Sequence, residues 1–200
     1  MKKGITKEQT INKALELMKD KGDIRSVNLR VIARELGCAH TNLYNYFPSF
    51  EALLWEAYNA ILERLSKHIK NSISGMVDYR MQLEKLITGI VSFYLDNKGW
   101  FRLMWVEIIG EERPESNKIL VSNNLDISAD IVSDILINAD KCIIDRNKLK
   151  NTIHVVHCYI YGEISMFIAS HSLIRDESEL RKYIVNEAMK MLQMQLLVER

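Results

Sequence analysis

Apolar residues along this 200-residue chain recur every three to four positions and almost nowhere at every second one. That period belongs to helices that bury one face. Ile11, Ala14, Leu15 and Met18 form the first stripe. Thr6-Lys7-Glu8-Gln9 ahead of it has the spacing of a capping box, and Gly22, after Lys19 and Lys21, is the expected stop. A shorter stripe, Leu29, Ile32, Ala33 and Leu36, follows Asn28, a good N-cap. Gly37 allows a sharp turn. A third helix is expected from Ala39 to Tyr46, with Leu43 and Phe47 inward. Pro48 cannot continue it, and Ser49 can cap the next. That fourth helix is expected from Ser49 to Ser74, burying Leu53, Leu54, Ala57, Tyr58, Ile61, Leu62, Leu65 and Ile69.

A fifth helix is predicted from Val77 to Asn97. A short aromatic segment, Trp100 to Gly110, separates it from a helix running from Pro114 to Ala139. After a loop at Asp140 to Asp145, two long helices follow, Arg146 to Ser170 and Glu177 to Val198. No strand pattern, internal repeat or low-complexity tract interrupts them. The expected fold class is all-α, with about nine helices. The three short N-terminal helices would form one domain, residues 1–48, and the remainder, 49–200, a second.

Composition adds little to that picture but excludes several classes. Hydrophobic residues make up 48% and charged residues 26%, ordinary for a soluble globular chain. No apolar run is long enough to span a bilayer, so no membrane partner is expected. Met1 to Thr10 carries positive charge without a following apolar stretch, so no secretory signal is expected. Cys38, Cys142 and Cys158 are odd in number and widely spaced. They suggest no disulfide framework and fit a reducing, cytoplasmic location. The net charge of +1 hides an asymmetry: residues 1–50 hold 9 Lys+Arg against 5 Asp+Glu, and residues 51–200 hold 18 against 21. A positive end on a nearly neutral chain suits contact with a polyanion.

The N-terminal stretch Asn28 to Phe50 carries the clearest chemistry. Two short helices around a glycine can form a helix-turn-helix, whose second helix enters the DNA major groove. Ala33 permits close approach. His40, Thr41, Asn42 and Asn45 offer hydrogen-bonding groups, and the hydroxyls of Tyr44 and Tyr46 can reach phosphate oxygens. A purely structural hairpin explains Leu29, Ile32, Leu36 and Leu43 but not this outward polar row.

Ile32-Ala33-Arg34-Glu35-Leu36-Gly37, Leu43-Tyr44-Asn45-Tyr46-Phe47, Ser49 and Glu51-Ala52-Leu53-Leu54 together resemble the signature of the TetR family of bacterial regulators, over about a quarter of the chain. The resemblance implies a homodimeric DNA-binding protein, usually a repressor, released by a small molecule bound in the C-terminal domain. By position it places Asn28 and Arg30 at the start of the second helix, with Arg30 reaching a base or phosphate. Ala39, His40, Thr41 and Asn42 would face bases, and Tyr44 and Tyr46 would clamp phosphates of a double-stranded operator. One departure is Phe50, where the family typically has a lysine that contacts the DNA backbone. Cys38 also replaces a more usual aliphatic residue.

For the unknown effector, Trp100, Met104, Trp105, His157 and Tyr161 are the candidate lining, with Phe93, Tyr94 and Met166 as further aromatic or adaptable neighbours. Each is as readily an ordinary core residue. His154, His157 and Cys158 lie one helical turn apart, a spacing metals use, but without an obvious fourth ligand they read as a core histidine and a thiol. No metal or other cofactor is expected. The last two helices are apolar on more than one face, which suggests burial against a second copy through residues 146–170 and 177–198, with Gly162 and Ser165 allowing close approach. No phosphate loop, nucleophile elbow or other catalytic constellation stands out, so the chain is not expected to be an enzyme. The competing class is a helical small-molecule-binding or scaffolding protein whose helix-turn-helix no longer binds DNA.

Overall fold

The computed structural model describes residues 5–21, 23–110, 112–139 and 145–197, the side chains of 196 and 197 excepted. The described residues are helical and contain no strand. Eight α-helices follow in order: α1 (Lys7–Met18), α2 (Leu29–Glu35), α3 (Phe50–Ile73), α4 (Tyr79–Leu95), α5 (Lys98–Trp105), α6 (Glu115–Asn138), α7 (Arg146–Ile168) and α8 (Glu177–Leu197). Two 3-10 helices, Ile24–Ser26 and His40–Asn45, lie among the first three. None of the described helices is long and apolar enough to cross a membrane.

The chain packs as two compact units. One holds Met1–Glu63 and Asn97–Lys118, the other Arg64–Asp96 and Ile119–Arg200. These packing units do not part at 48/49, the expected functional division, because α5 packs with the N-terminal helices.

In the first unit the expected capping box opens α1: the Thr6 hydroxyl accepts from the Gln9 amide, and the Gln9 side chain accepts from the Thr6 amide. Ala14, Leu15 and Met18 are fully buried. The expected stop at Gly22 lies outside the described residues. The short aromatic segment expected from Trp100 to Gly110 begins as a helix, α5, over residues 98–105. Its first turn is locked onto the end of α1 by two backbone-level devices. The Gly99 amide donates to the Lys19 carbonyl at 2.8 Å. A Cβ at Gly99 would lie 1.7 Å from the Met18 carbonyl oxygen, so only glycine permits the approach. One residue on, the Trp100 indole N–H donates to the Leu15 carbonyl at 2.8 Å. No local spacing signals this lock, because the Trp100 indole finds its partner 85 positions away.

In the second unit α4 and α7 both pack against α8. The core includes a stripe of Leu149, Ile153, Val156, Ile160 and Ile164 on α7 and one of Leu180, Ile184, Ala188 and Leu192 on α8. It also takes in a broader face of α4, with Leu83, Ile87, Ile90, Val91, Phe93, Tyr94 and Leu95, and Ala129, Val132, Ile135 and Leu136 of α6. Asp145 caps α7 by accepting from the Asn147 and Lys148 amides. Arg181 of α8 ties back to Asp96 at 2.6 Å and to Glu177 at 2.5 Å. The apolar residues expected all round the last two helices are sorted by this packing. Val155 and Met166 on α7 and Tyr183 and Met194 on α8 remain exposed, Met194 by 67%. Leu196 and Leu197 have side chains outside the described residues.

Candidate nucleic-acid interface

The interface is built from the loop and short helices between Asn28 and Phe50. Asn28 starts α2 as expected, its side-chain oxygen accepting from the Arg30 and Val31 amides, both at 3.1 Å. Its side chain therefore already satisfies two of the helix's orphan donors. Leu29, Ile32 and Ala33 face inward. The helix closes in a Schellman motif: Gly37 takes φ +67°, its amide donates to Arg34 O, and the Cys38 amide donates to Ala33 O. Cys38 is half-buried.

The third element differs from expectation. His40–Asn45 is a 3-10 helix of six residues, not an α-helix from Ala39 to Tyr46. Its N-cap, Ala39, has no capping side chain. Thr, Asn, His and Tyr are weak helix formers, and Pro48 forbids extension. Short segments under those conditions fall readily into the tighter winding. Leu43 and Phe47 still anchor it, almost wholly buried.

The remaining side chains of this segment face solvent. Ala39, His40, Thr41, Asn42, Tyr44, Asn45 and Tyr46 are all exposed, Tyr44 by 52%. The His40 and Tyr44 rings meet edge-on at 6.3 Å. Arg30 is exposed at the start of α2. Tyr46 has a structural duty as well: its hydroxyl donates to the Ile5 carbonyl at 2.7 Å, tying the segment before α1 to this surface. Lys7 lies over the Phe47 ring at 5.9 Å and pairs with Glu56 of α3 at 2.5 Å. Ser49 caps α3 through the Ala52 amide, and Phe50 is half-buried in its first turn. Tyr46's bond to Ile5 joins residues 41 positions apart and has no sequence signal.

The candidate effector residues fall into two groups. Trp100, Met104 and Trp105 belong to the first unit. Trp100 and Met104 are buried, whereas Trp105 is 43% exposed. His157 and Tyr161 belong to the second unit, where their rings stack at 5.5 Å. Tyr161 in turn meets Tyr94 edge-on at 5.6 Å, and Tyr94 meets Phe93 at 5.5 Å. Burial and the neighbouring His154 push the His157 imidazole down to about 4, so it is neutral at ordinary pH. Cys158 approaches the other histidine instead, with its sulfur 3.7 Å from His154 Nε2. Among the described residues no three His, Cys, Asp or Glu side chains come together as a metal would require.

No protein-family profile and no curated protein sequence matches the chain. Solved structures do. A Rhodococcus sp. RHA1 protein of unknown function superposes with a TM-score of 0.73 at 17% identity, over 94% of this chain and 96% of that one. A bacterial regulatory protein of the TetR family from Rhodococcus RHA1 gives 0.67 at 16% identity, over 95% and 98%. A TetR variant from Acinetobacter baumannii AYE, in complex with minocycline, gives 0.63 at 19%, over 94% and 95%. The likeness runs essentially from end to end, and with the helix-turn-helix at the N-terminal end it shows that this chain has the fold of the TetR-family transcriptional regulators.

Proposed function

We propose that this protein is a cytoplasmic, sequence-specific DNA-binding regulator of transcription, acting as a homodimer and released from its operator by a small molecule. The observation that carries this reading is the surface of the 3-10 helix. Two buried anchors, Leu43 and Phe47, hold a continuous exposed row of Ala39, His40, Thr41, Asn42, Tyr44 and Asn45. Residues 1–48 are the DNA-reading part in this reading, and 49–200 the part that dimerises and senses.

In the complex, His40, Thr41 and Asn42 face base edges, with Ala39 beside them in contact with the groove. Tyr44 and Arg30 reach phosphates, Asn28 presents the start of α2, and Tyr46 holds the N-terminal segment in place while its ring borders the backbone. A dimer sets its two reading segments in successive major grooves, about 34–36 Å apart. The exposed apolar residues of α7 and α8, Val155, Met166, Tyr183 and Met194, are the surface for the second copy. α3 begins two residues after Pro48, so a ligand that prefers another position of α3 would lower operator affinity by its differential binding to the two states. His157, Tyr161 and Tyr94 are one aromatic wall at which an effector could lie. Trp105 offers a second exposed ring, with Trp100 and Met104 supporting it from the core.

The test is a gel-shift titration with operator DNA selected from random sequence. The double variant His40→Ala/Tyr44→Ala should bind roughly tenfold more weakly or worse, since the base contact of His40 contributes about 1–3 kcal/mol and the phosphate contact of Tyr44 is lost with it. Wild-type binding must also weaken steeply with salt. A double variant that matches wild type, or binding indifferent to salt, leaves the scaffolding or small-molecule-binding reading in its place.

A further inference from the structure

One polar cluster in the first unit serves neither the reading surface nor the apolar core. Trp55, Tyr58 and Asn59 stand at i, i+3 and i+4 on one face of α3. Facing them are Arg113 and Asn117, before and inside the first turns of α6. Asn117 is wholly buried. Its side-chain oxygen accepts from Arg113 Nε at 2.6 Å, and its amide nitrogen donates to the Asn59 side-chain oxygen at 2.5 Å. The half-buried Arg113 guanidinium also lies over the Tyr58 ring, 5.8 Å from its centre, and the Trp55 ring lies 5.9 Å from the same ring.

The hydrogen-bond direction along this chain leaves only donors over. Arg113 gives one N–H to Asn117, and its two terminal nitrogens remain. Asn59 accepts through its oxygen, leaving its own NH2. The Trp55 indole N–H is buried and has no partner. A buried donor without a partner is rare and costly, and the Trp55 N–H calls for an acceptor. The charge is also uncompensated: among the described residues no carboxylate lies within ion-pair distance of Arg113. Glu51, one turn before Trp55, and Glu112, beside Arg113, do not pair with it, while Glu115 pairs with Lys118 at 3.2 Å. A guanidinium preset by a fully buried amide and lying over the Tyr58 ring matches the flat two-oxygen edge of a carboxylate. The aromatic surroundings favour a monoanion with an apolar body over a strongly hydrated phosphate.

We infer that Arg113, Asn59 and Trp55 form a binding site for the carboxylate of a small aromatic or apolar acid, with Tyr58 beneath it and Asn117 as the positioning residue. Its regulatory meaning rests on the function proposed above, because the site is built on α3, the helix that follows the DNA-reading segment; the binding itself does not depend on that reading. An acid bridging Arg113 to Trp55 and Asn59 fixes the first turns of α3 against the start of α6.

The full-length protein can be titrated with benzoate, with neutral benzamide and with inorganic phosphate, by calorimetry and by thermal shift. Benzoate should bind saturably and raise the melting temperature, and benzamide and phosphate should not. Arg113→Gln should weaken benzoate binding at least tenfold. Trp55→Phe, which keeps an aromatic ring but removes the N–H together with the five-membered ring, should weaken it several-fold while circular dichroism stays that of the parent. The assignment is overturned if benzoate does not bind, if benzamide binds as well, if phosphate binds in preference, or if both variants bind benzoate like the parent. Operator binding in the gel shift is read separately. Loss of the acid site with salt-sensitive operator binding intact removes this inference alone, and absent operator binding removes the regulatory reading alone.

Discussion

The two packing units of this protein use different means to hold their helices. The first relies on contacts that one atom would break: Gly99 against the Met18 carbonyl, the Trp100 indole on the Leu15 carbonyl, the buried Asn117 between Arg113 and Asn59. The second relies on apolar stripes meeting along α4, α7 and α8, with apolar residues remaining outside. Backbone-level contacts specify position because a carbonyl cannot yield as a side-chain tip can. Stripe packing tolerates exchange of one aliphatic residue for another and specifies less. The DNA-reading surface proposed above would need its side chains placed closely, and the stricter devices stand in the unit that carries it. Both units keep exposed apolar side chains, and those of α7 and α8 are the surface proposed above for a second copy.

The strongest way to break this contrast is at Gly99. Gly99→Val should destabilise the protein by about 3 kcal/mol or more, because the added side chain meets a backbone oxygen that cannot move without parting α5 from α1. Chemical denaturation measures it. A loss under 1 kcal/mol, on the order of a surface change, would mean the first unit is as adaptable as the second.

The complementary change is made on the outer face of the second unit. Val155→Glu with Met166→Glu should leave the melting temperature of the isolated chain nearly unchanged, since both side chains are exposed. It should turn a dimer into a monomer in light scattering, because charges buried at a two-fold contact lack partners. A dimer that survives both charges places the partner surface elsewhere.

Acid distinguishes the second unit by its neutral imidazole. His157 is depressed to about 4 when folded, below the 6.5 of the free side chain. The unfolded chain therefore binds more protons between those values, so this contribution is complete above pH 6.5 and is lost as pH falls through 4. Discounted for solvent access, the loss is on the order of 1–2 kcal/mol. Melting curves between neutral and acid pH should show it, and His157→Gln should flatten that part of the profile. An unchanged profile in the variant would assign the acid sensitivity to other groups.

The smallest effect is expected at the α2 cap. Asn28→Ala should cost about 1 kcal/mol of stability, through loss of the bonds to the Arg30 and Val31 amides. Operator affinity should fall by more than stability accounts for if Asn28 also contributes to DNA contact, which a comparison of denaturation and gel shift at one temperature decides.

Much of this architecture was legible because it is local. The capping box at Thr6, the cap at Asn28, the turn at Gly37 and the stop at Pro48 each depend on residues within four or five positions. The buried face of α3 follows from a simple period. The outward row from Ala39 to Asn45 was legible for the same reason, since Leu43 and Phe47 assign the inside and leave the rest outside. The winding of that row was less legible: weak helix formers before Pro48 make a short segment, but its buried face, Leu43 with Phe47, suits α and 3-10 geometry alike. The contacts of Trp100, Tyr46 and Arg113 were not legible. Trp100 and Tyr46 find their partners 85 and 41 positions away, and Arg113 is set through Asn117, whose own partner Asn59 lies 58 positions from it.

By itself, then, the sequence determined that this is a helical protein with a helix-turn-helix at its N-terminal end, and which side chains of that motif face out. Those properties follow from hydrophobic period and local hydrogen bonding. Tertiary structure decided that the aromatic run after Asn97 is a helix locked to α1, that Tyr46 fastens the N-terminal segment, and that Asn117 joins Arg113 to Asn59 while the Trp55 indole N–H is left without a partner. These depend on where distant backbone atoms come to rest, and no local spacing encodes that.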